Sequence, residues 1–317
     1  MLHFRNCSPT YSGPRRPSLN RILFDLVRLR SCEIDIRAHV MTISCLDNEP
    51  AVWLHAVPRL HDDACKYDRG HALIVGGYPV TGAARLVARA AARVGAGLTT
   101  VAVPEVAFAI YANALESIMV QALENSGALL QLRGARSFSA FAIGPGAGVG
   151  EATRNNVLTL LATRKPTLLD ADALTSFSES RDQLFSALHA TCVLTPHEGE
   201  FARLFDVQGS RAYRALNAAA ESGAIVVLKG SETIIAAPDG RSIINRNAPP
   251  TLATAGSGDV LAGIICGLLA QRMDPFFAAA AGVWMHGAAA SEFGQGLISD
   301  DLPNLLPMVL NKLKKEA

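Results

Sequence analysis

The sequence predicts an α/β fold built on a mostly parallel central sheet with helices on both faces. From about Trp53 onward, short aliphatic or β-branched runs ending in Gly, Pro or Asp alternate with Ala-rich stretches of helical period. The runs are continuously apolar rather than alternating, as expected of strands covered on both faces. Half of the 317 residues are hydrophobic and 18% are charged, so a large core can be buried and disorder is excluded for most of the chain.

His71–Val75 reads as the first strand of this pattern, residues 76–82 as a loop, and Ala83–Val94 as a helix. Leu86, Val87, Ala90 and Val94 point inward on that helix and Arg85, Arg89 and Arg93 outward, with Gly95 and Gly97 stopping it. Leu98–Val103, Ala140–Ile143, Thr167–Leu169, Cys192–Leu194 and Ile225–Leu228 repeat the strand signal. Thr233–Ala236 and Ser242–Ile244 flank the turn Pro238-Asp239-Gly240 and predict an antiparallel hairpin late in the sheet. Helices over Asp259–Gln271 and Pro275–Phe293 are expected to close the fold.

Residues 1–50 are Arg-rich and turn-prone, without the apolar core and small-residue cleavage site of a secretory signal. They are expected to be an extension of no assigned role, either flexible or disordered or with one short amphipathic helix around Ile22, Phe24, Leu26, Val27 and Leu29, and a globular domain follows over 51–317. Met41 is an alternative start.

Charge narrows the function class. Lys plus Arg less Asp plus Glu is 29 − 28 = +1, so no global field recruits nucleic acid or a membrane surface, and small-molecule partners are expected. The apolar stretches around Val260–Ala270 and Phe276–Ala290 are too short or too broken to span a bilayer. The six cysteines contain no CxxC pair and His55, His61 and Cys65 match no zinc spacing, so reduced thiols, a cytoplasmic address and no structural metal are expected.

Ligands of open α/β sheets bind beyond the carboxyl ends of the strands. Ala255-Gly256-Ser257-Gly258-Asp259 runs straight into an apolar helix, and its small residues let backbone N–H groups converge at a helix N-terminus to form an anion hole. The helix dipole is expected to keep Asp259 ionised at neutral pH, ready to accept a proton from a substrate hydroxyl; a plain capping Asp is the other reading. Gly144-Pro145-Gly146-Ala147-Gly148-Val149-Gly150 does not fit GxGxxG, and no helix is expected to open where a dinucleotide fingerprint needs one.

Lys229-Gly230-Ser231-Glu232-Thr233 sets an ammonium and two hydroxyls at a strand end, suited to phosphates or ribose or to an ordinary turn, and the chain has no GxxxxGK[ST]. In Thr195-Pro196-His197-Glu198-Gly199-Glu200, His197 can meet a polar ligand, and Glu198 with Glu200 could hold Mg²⁺ through water or simply favour a helix dipole. Asp170-Ala171-Asp172 carries the same two readings.

Together these segments resemble the NAD(P)H-hydrate dehydratase family of the ribokinase-like superfamily, from about Lys66 to the carboxyl terminus. The matching text is Lys66-Tyr67-Asp68-Arg69-Gly70, Gly76-Gly77 with Thr81-Gly82-Ala83, Gly95-Ala96-Gly97-Leu98, Gly144-Pro145-Gly146, Leu169 through Leu174, Leu194-Thr195-Pro196-His197 with Gly199-Glu200, and Ala255 through Gly263. The resemblance implies a three-layer αβα sandwich and repair of hydrated NADH and NADPH. A nucleotide, ADP in bacterial members and ATP as the alternative, phosphorylates the hydrate hydroxyl, phosphate is eliminated and the reduced cofactor returns. It further implies Asp259 as the base, Gly256 and Gly258 as amide donors to the transferring phosphoryl group, and Lys229, Gly230, Ser231, Glu232, Thr233 and Gly258 as the nucleotide site. Ala83, Gly146 and His197, with Asp259, would line the hydrate site. Mg²⁺ would neutralise phosphate charge with no ligand residue assigned, and a homo-oligomer is expected.

Four positions depart from the family pattern: Ala255 and Ser257 in the small-residue run, Tyr78 where Ser is frequent, and Glu198 where Pro is frequent. Many bacterial relatives also carry an amino-terminal epimerase domain of some 200 residues, so the chain is expected to represent the dehydratase half, acting on the S epimer and paired with a separate epimerase. A ribokinase-like small-molecule kinase such as a hydroxyethylthiazole kinase would share the anion hole and base, and a nucleotide-binding pseudoenzyme is the reading from outside catalysis; Gly82-Ala83 and Thr195-Pro196-His197 favour the dehydratase.

Overall fold

The computed structural model describes residues 30–32, 43–59, 61–125, 127–135 and 137–316. Its centre is an eleven-stranded sheet, in the order β1-β2-β11-β10-β9-β8-β7-β6-β3-β4-β5. The strands are β1 (Arg30–Cys32), β2 (Ile43–Asp47), β3 (His71–Val75), β4 (Leu98–Pro104), β5 (Met119–Leu123), β6 (Ala140–Ile143), β7 (Thr167–Leu169), β8 (Cys192–Leu194), β9 (Ile225–Leu228), β10 (Thr233–Ala236) and β11 (Ser242–Asn245). Pairings from β5 through β9 are all parallel, whereas β10 runs antiparallel to both β9 and β11, so the expected late hairpin is present.

Strand alternation sorts the core into two layers. Ala72, Ile74, Ala140, Ala142, Leu168, Val193 and Val227 face the helices Gly82–Arg93, Ser257–Ala270, Pro275–Phe293 and Leu302–Glu316. Their neighbours Leu73, Val75, Phe141, Ile143, Leu169, Leu194 and Leu228 face Glu151–Leu161, Arg181–Ala187, Glu198–Leu204 and Arg211–Ser222. With both faces covered, every residue of β3, β6, β7, β8 and β9 is buried, which is why these strands read as unbroken apolar runs.

Several elements differ from the sequence reading. Ile43–Asp47, assigned to the amino-terminal extension, is β2 and pairs in parallel with β11. The connection is fixed by Asn48, whose Nδ2 donates to Asn245 Oδ1 (2.9 Å) and Ala280 O (2.8 Å), while fully buried Trp53 donates from Nε1 to Asn48 Oδ1 (3.0 Å). A helix opens at Glu151 directly after the glycine run, where none was expected. The half-buried edge strand β5 and the helix Leu302–Glu316, which contains Pro307, complete the fold beyond the expected elements. The amphipathic helix expected around Ile22–Leu29 lies outside the described residues.

The sheet order places the site. From β3 the chain steps outward to β4 and β5, then returns to build β6 through β9 on the other side, so the topological switch point lies between β3 and β6. A ligand crevice is expected outside the carboxyl ends of strands at such a point. The helix Ser257–Ala270 reaches the same end packed on Gly82–Arg93, where Gly263 and Gly267 permit contact: a Cβ on Gly263 would lie 2.7 Å from that of Ala90, and one on Gly267 would meet Ala91 O at 2.6 Å.

Candidate active site

The loops that follow β3, β6, β7, β8 and β9 converge with the N-terminus of the helix Ser257–Ala270. Gly256, at φ +84°, turns the chain into that helix through a left-handed conformation suited to glycine. A Cβ there would lie 2.8 Å from Leu86 Cδ1 and 3.3 Å from Ser299 Cβ, and Ser299 Oγ donates to Ala255 O at 2.6 Å, closing the turn from behind. Ser257 N–H donates to Thr254 O at 3.3 Å and Val260 N–H to Gly256 O at 3.2 Å. Among the described residues Gly258 and Asp259 N–H have no protein acceptor, so they are the donors this N-terminus offers an anion. The Ser257 hydroxyl shares a 3.2 Å hydrogen bond with Nε2 of buried His286, whose imidazole is pushed down to about 4 by burial and is neutral at physiological pH.

Lys229 brings the positive charge. It ends β9 and points inward, its Nζ 2.7 Å from Asp170 Oδ1 and 3.9 Å from Glu200 Oε2. A Cβ on Gly258 would stand 3.5 Å from Nζ and 4.0 Å from Asp170 Oδ2, so ammonium, carboxylate and amide cradle adjoin. Burial disfavours the ammonium, but Asp170, Glu200 and Asp259 outweigh it and hold the pKa above the usual lysine value. Burial likewise pushes the Asp259 carboxyl up to about 6, with the Asp170 charge adding and Lys229 opposing. The dipole alone led to a fully ionised group; desolvation overrides it, leaving a mostly ionised carboxylate at pH 7 whose pKa suits a general base.

The expected hydrate-side residues fall together in part. Gly146, at φ +68°, lies against the β3 loop, where a Cβ would meet Val80 O at 2.5 Å and Ala83 Cβ at 3.4 Å. Ala83 is one turn before Leu86, which touches Gly256, so Gly146 and Ala83 share a face with the cradle. Fully buried Tyr111 donates from Oη to Gly77 O at 3.1 Å and fixes the same loop. Exposed Tyr78, Val80 and Val149 form its apolar rim.

His197 caps the helix Glu198–Leu204: Nδ1 accepts from Gly199 N (2.9 Å) and Glu200 N (3.2 Å), and Glu200 Oε2 accepts from His197 N (2.9 Å). Nε2 lies 3.4 Å from Glu200 Oε1, on a ring that stays half-exposed. Glu198 and Glu200, for which a Mg²⁺ pair was one of two readings, do not converge. At i and i+2 they leave opposite sides of the helix: Glu200 goes inward to Lys229, and Glu198 outward to Arg211 and Arg214. Asp172 accepts from Gly148 N at 2.8 Å and secures the glycine loop, while Ala171 between the two aspartates is held at φ +47°.

In the loop 229–233 the Thr233 hydroxyl bonds Gly230, at 3.3 Å to its N and 3.0 Å to its O, rather than facing outward. Ser231 is exposed, and the Glu232 carboxylate accepts from Arg246 Nε at 2.8 Å. The sequence reading missed Arg211, Tyr111, Ser299 and His286, which act from elements that read as ordinary helices or loops.

The family model for NAD(P)H-hydrate dehydratases matches residues 72–309. The chain belongs to the NAD(P)H-hydrate dehydratase family. It is 39% identical over 288 residues to the bifunctional NAD(P)H-hydrate repair enzyme of Moorella thermoacetica, covering 84% of this chain and 54% of that protein. The chain thus spans about half the length of the bifunctional relatives it matches. It is 34% identical over 278 residues to the ADP-dependent (S)-NAD(P)H-hydrate dehydratase of Neisseria meningitidis, covering 82% of this chain and 92% of that protein.

Among solved structures, the ADP/ATP-dependent NAD(P)H-hydrate dehydratase of Bacillus subtilis, co-crystallised with ATP and Mg²⁺, superposes with a TM-score of 0.73 at 28% identity, covering 84% of this chain and 98% of that one. A ribokinase-like superfamily protein of Enterococcus faecalis gives 0.72 at 24% identity, covering 84% and 95%. The ribokinase-like α/β class is therefore established. Among the described residues no helix is long and apolar enough to cross a membrane.

Proposed function

We propose that this chain dehydrates the S epimer of hydrated NADH or NADPH with ADP as phosphoryl donor, releasing AMP and phosphate. The observation that carries the reading is the union of the unsatisfied Gly258 and Asp259 amides, the Lys229 ammonium and the Asp259 carboxylate at one helix N-terminus. Donors and cation are arranged for a phosphoryl group in transit, and the carboxylate for the hydroxyl that attacks it.

In the first step the hydrate hydroxyl gives its proton to Asp259 and attacks the β-phosphorus of ADP; the bond to the bridging oxygen breaks and AMP leaves. In the second, the carbon–oxygen bond to the new phosphate breaks, pushed by the ring nitrogen's electrons, and the adjacent ring carbon loses a proton to restore the dihydropyridine. The Gly258 and Asp259 amides, on the turn that Gly256 makes, would supply the cradle, Lys229 through Thr233 with Gly258 the nucleotide site, and Ala83, Gly146 and His197 the hydrate site.

The donor set fits Mg²⁺ as a companion of nucleotide phosphates. Asp259 faces the charges of Asp170 and Asp172, and Lys229 offsets only part of that negative charge. The Asp170 carboxylate, whose charge faces Asp259, would hold the ion together with the nucleotide phosphates, and the ion would neutralise charge on the transferred group. The dehydratase unit would extend from β2 through the helix Leu302–Glu316, in a homo-oligomer, and R hydrate would enter after epimerisation by a separate epimerase or spontaneously.

The test is absorbance at 340 nm with purified hydrated NADPH and Mg²⁺, with ADP and ATP in parallel. A rise with ADP, accompanied by stoichiometric AMP, is expected. A phosphorylated product that accumulates without a rise at 340 nm would replace the dehydratase with the kinase reading, and no reaction with either nucleotide would leave the pseudoenzyme.

A further inference from the structure

We infer that Arg211 is a positioning residue that sets the shape of the nucleotide loop Lys229–Thr233, and that Glu198 ties it to the helix capped by His197. The inference rests on the proposed role of that loop.

Arg211 opens the helix Arg211–Ser222 and uses its whole guanidinium fork. Nη2 donates to Leu228 O at 3.1 Å and Lys229 O at 2.9 Å, Nε donates to Glu232 O at 3.2 Å, and Nη1 pairs with the Glu198 carboxylate. Three carbonyls on both limbs of one loop are thus gathered onto one rigid, planar group, a task for which lysine has no equivalent geometry. The loop is built to admit it. Gly230 does not adopt a positive φ, yet a Cβ there would stand 2.5 Å from Arg211 Nη2 and 3.0 Å from Cζ. A side chain at this position would therefore press on the guanidinium and shift it, while the backbone itself would admit one. Holding the Lys229 and Glu232 carbonyls leaves the Lys229 side chain directed at Asp170 and the cradle, and its amide donating to Pro196 O at 2.9 Å.

Glu198 is one of the positions at which the sequence departs from the family pattern, which frequently has Pro there. Its carboxylate joins Arg211 to Arg214, and the Arg214 guanidinium lies 4.8 Å from the centre of the Phe201 ring. The helix carrying the hydrate-side His197 is thereby bound to the helix carrying the nucleotide-side Arg211. Proline has no side chain able to make that bond.

The test is calorimetric titration of ADP with Mg²⁺ into the wild-type protein and into Arg211→Lys, Arg211→Ala, Gly230→Ala and Glu198→Gln, with thermal midpoints and, from the turnover assay, KM for ADP and for hydrate. The expected result is ADP affinity about tenfold weaker in both Arg211 variants, with no rescue by lysine, and weaker in Gly230→Ala. KM for hydrate should stay within about twofold in the Arg211 variants. Glu198→Gln should lose less, about threefold, and lose the salt dependence that the wild-type affinity shows. Unchanged ADP affinity in Arg211→Lys would overturn the inference, as would a hydrate KM that rises in step with that for ADP, or a loss wholly accounted for by a lower thermal midpoint. A wild-type protein that fails to bind ADP would overturn the nucleotide reading itself, whereas wild-type binding with indifferent variants would sink the brace alone.

Discussion

Lys229 Nζ and Asp170 Oδ1 lie 2.7 Å apart at the inner end of the loop 229–233, the carboxylate 2% exposed and the ammonium 19%. Removing one member strands the other charge. Lys229→Met is expected to cost about 3–5 kcal/mol of folding stability as well as most nucleotide affinity. Adding Asp170→Asn to that variant should recover part of the stability and none of the affinity. Urea denaturation of the single and double variants, beside ADP titration, checks both.

The pH dependence of turnover follows from Asp259. With its carboxyl at about 6, the active base is lost as pH falls through that value, so kcat is expected to decline on the acid side with a midpoint near 6. Since the Asp170 charge contributes to that elevation, Asp170→Asn should move the acid limb to lower pH. Stability runs the other way. In its ordinary range near 3.8 the unfolded carboxyl releases its proton before the folded one, so between about 4 and 6 the folded state holds more protons and stability falls as pH rises. A pH-rate profile together with chemical denaturation at pH 4.5 and 7 tests both signs.

Much of this was legible in the sequence. β3, β6, β7, β8, β9 and β10 were placed to the residue because burial on both faces removes the polar alternation that makes strand ends ambiguous. That Gly146, His197 and Lys229 lie beyond the carboxyl ends of β6, β8 and β9 was legible because each closely follows a short apolar run. Of the two readings of Glu198 and Glu200, the Mg²⁺ pair fails and the helix-opening acids stand, since a helix sends i and i+2 in opposite directions. Arg211 and Tyr111 were missed because their partners, Leu228, Lys229, Glu232 and Gly77, are backbone carbonyls that leave no mark on the side-chain sequence. β1 and β2 were missed because two short strands within an atypical segment carry no repeated strand–helix pattern.

Gly146→Ala tests the hydrate-side contact. At φ +68° a left-handed alanine costs about 1–2 kcal/mol, and the new methyl would press on Val80 O. KM for hydrate should rise severalfold while KM for ADP stays near wild type; steady-state kinetics with each substrate varied in turn separates the two.

Tyr111→Phe removes one hydrogen bond to Gly77 O from a fully buried ring. A loss of about 1 kcal/mol in stability is expected, with a higher hydrate KM because the β3 loop loses its anchor. An unchanged hydrate KM would show that the loop is held by its contacts with Gly146 alone.

On the proposed mechanism Asp259 takes the hydroxyl proton at a cradle able to bind the nucleotide without it. Single-turnover NADPH formation by Asp259→Asn, measured with saturating ADP and Mg²⁺ beside calorimetric ADP affinity, tests it most directly. The account predicts a rate lower by ~10²–10⁴ with ADP affinity within a few-fold of wild type. Turnover at the wild-type rate, or a loss of rate that merely follows a loss of ADP binding, would contradict it.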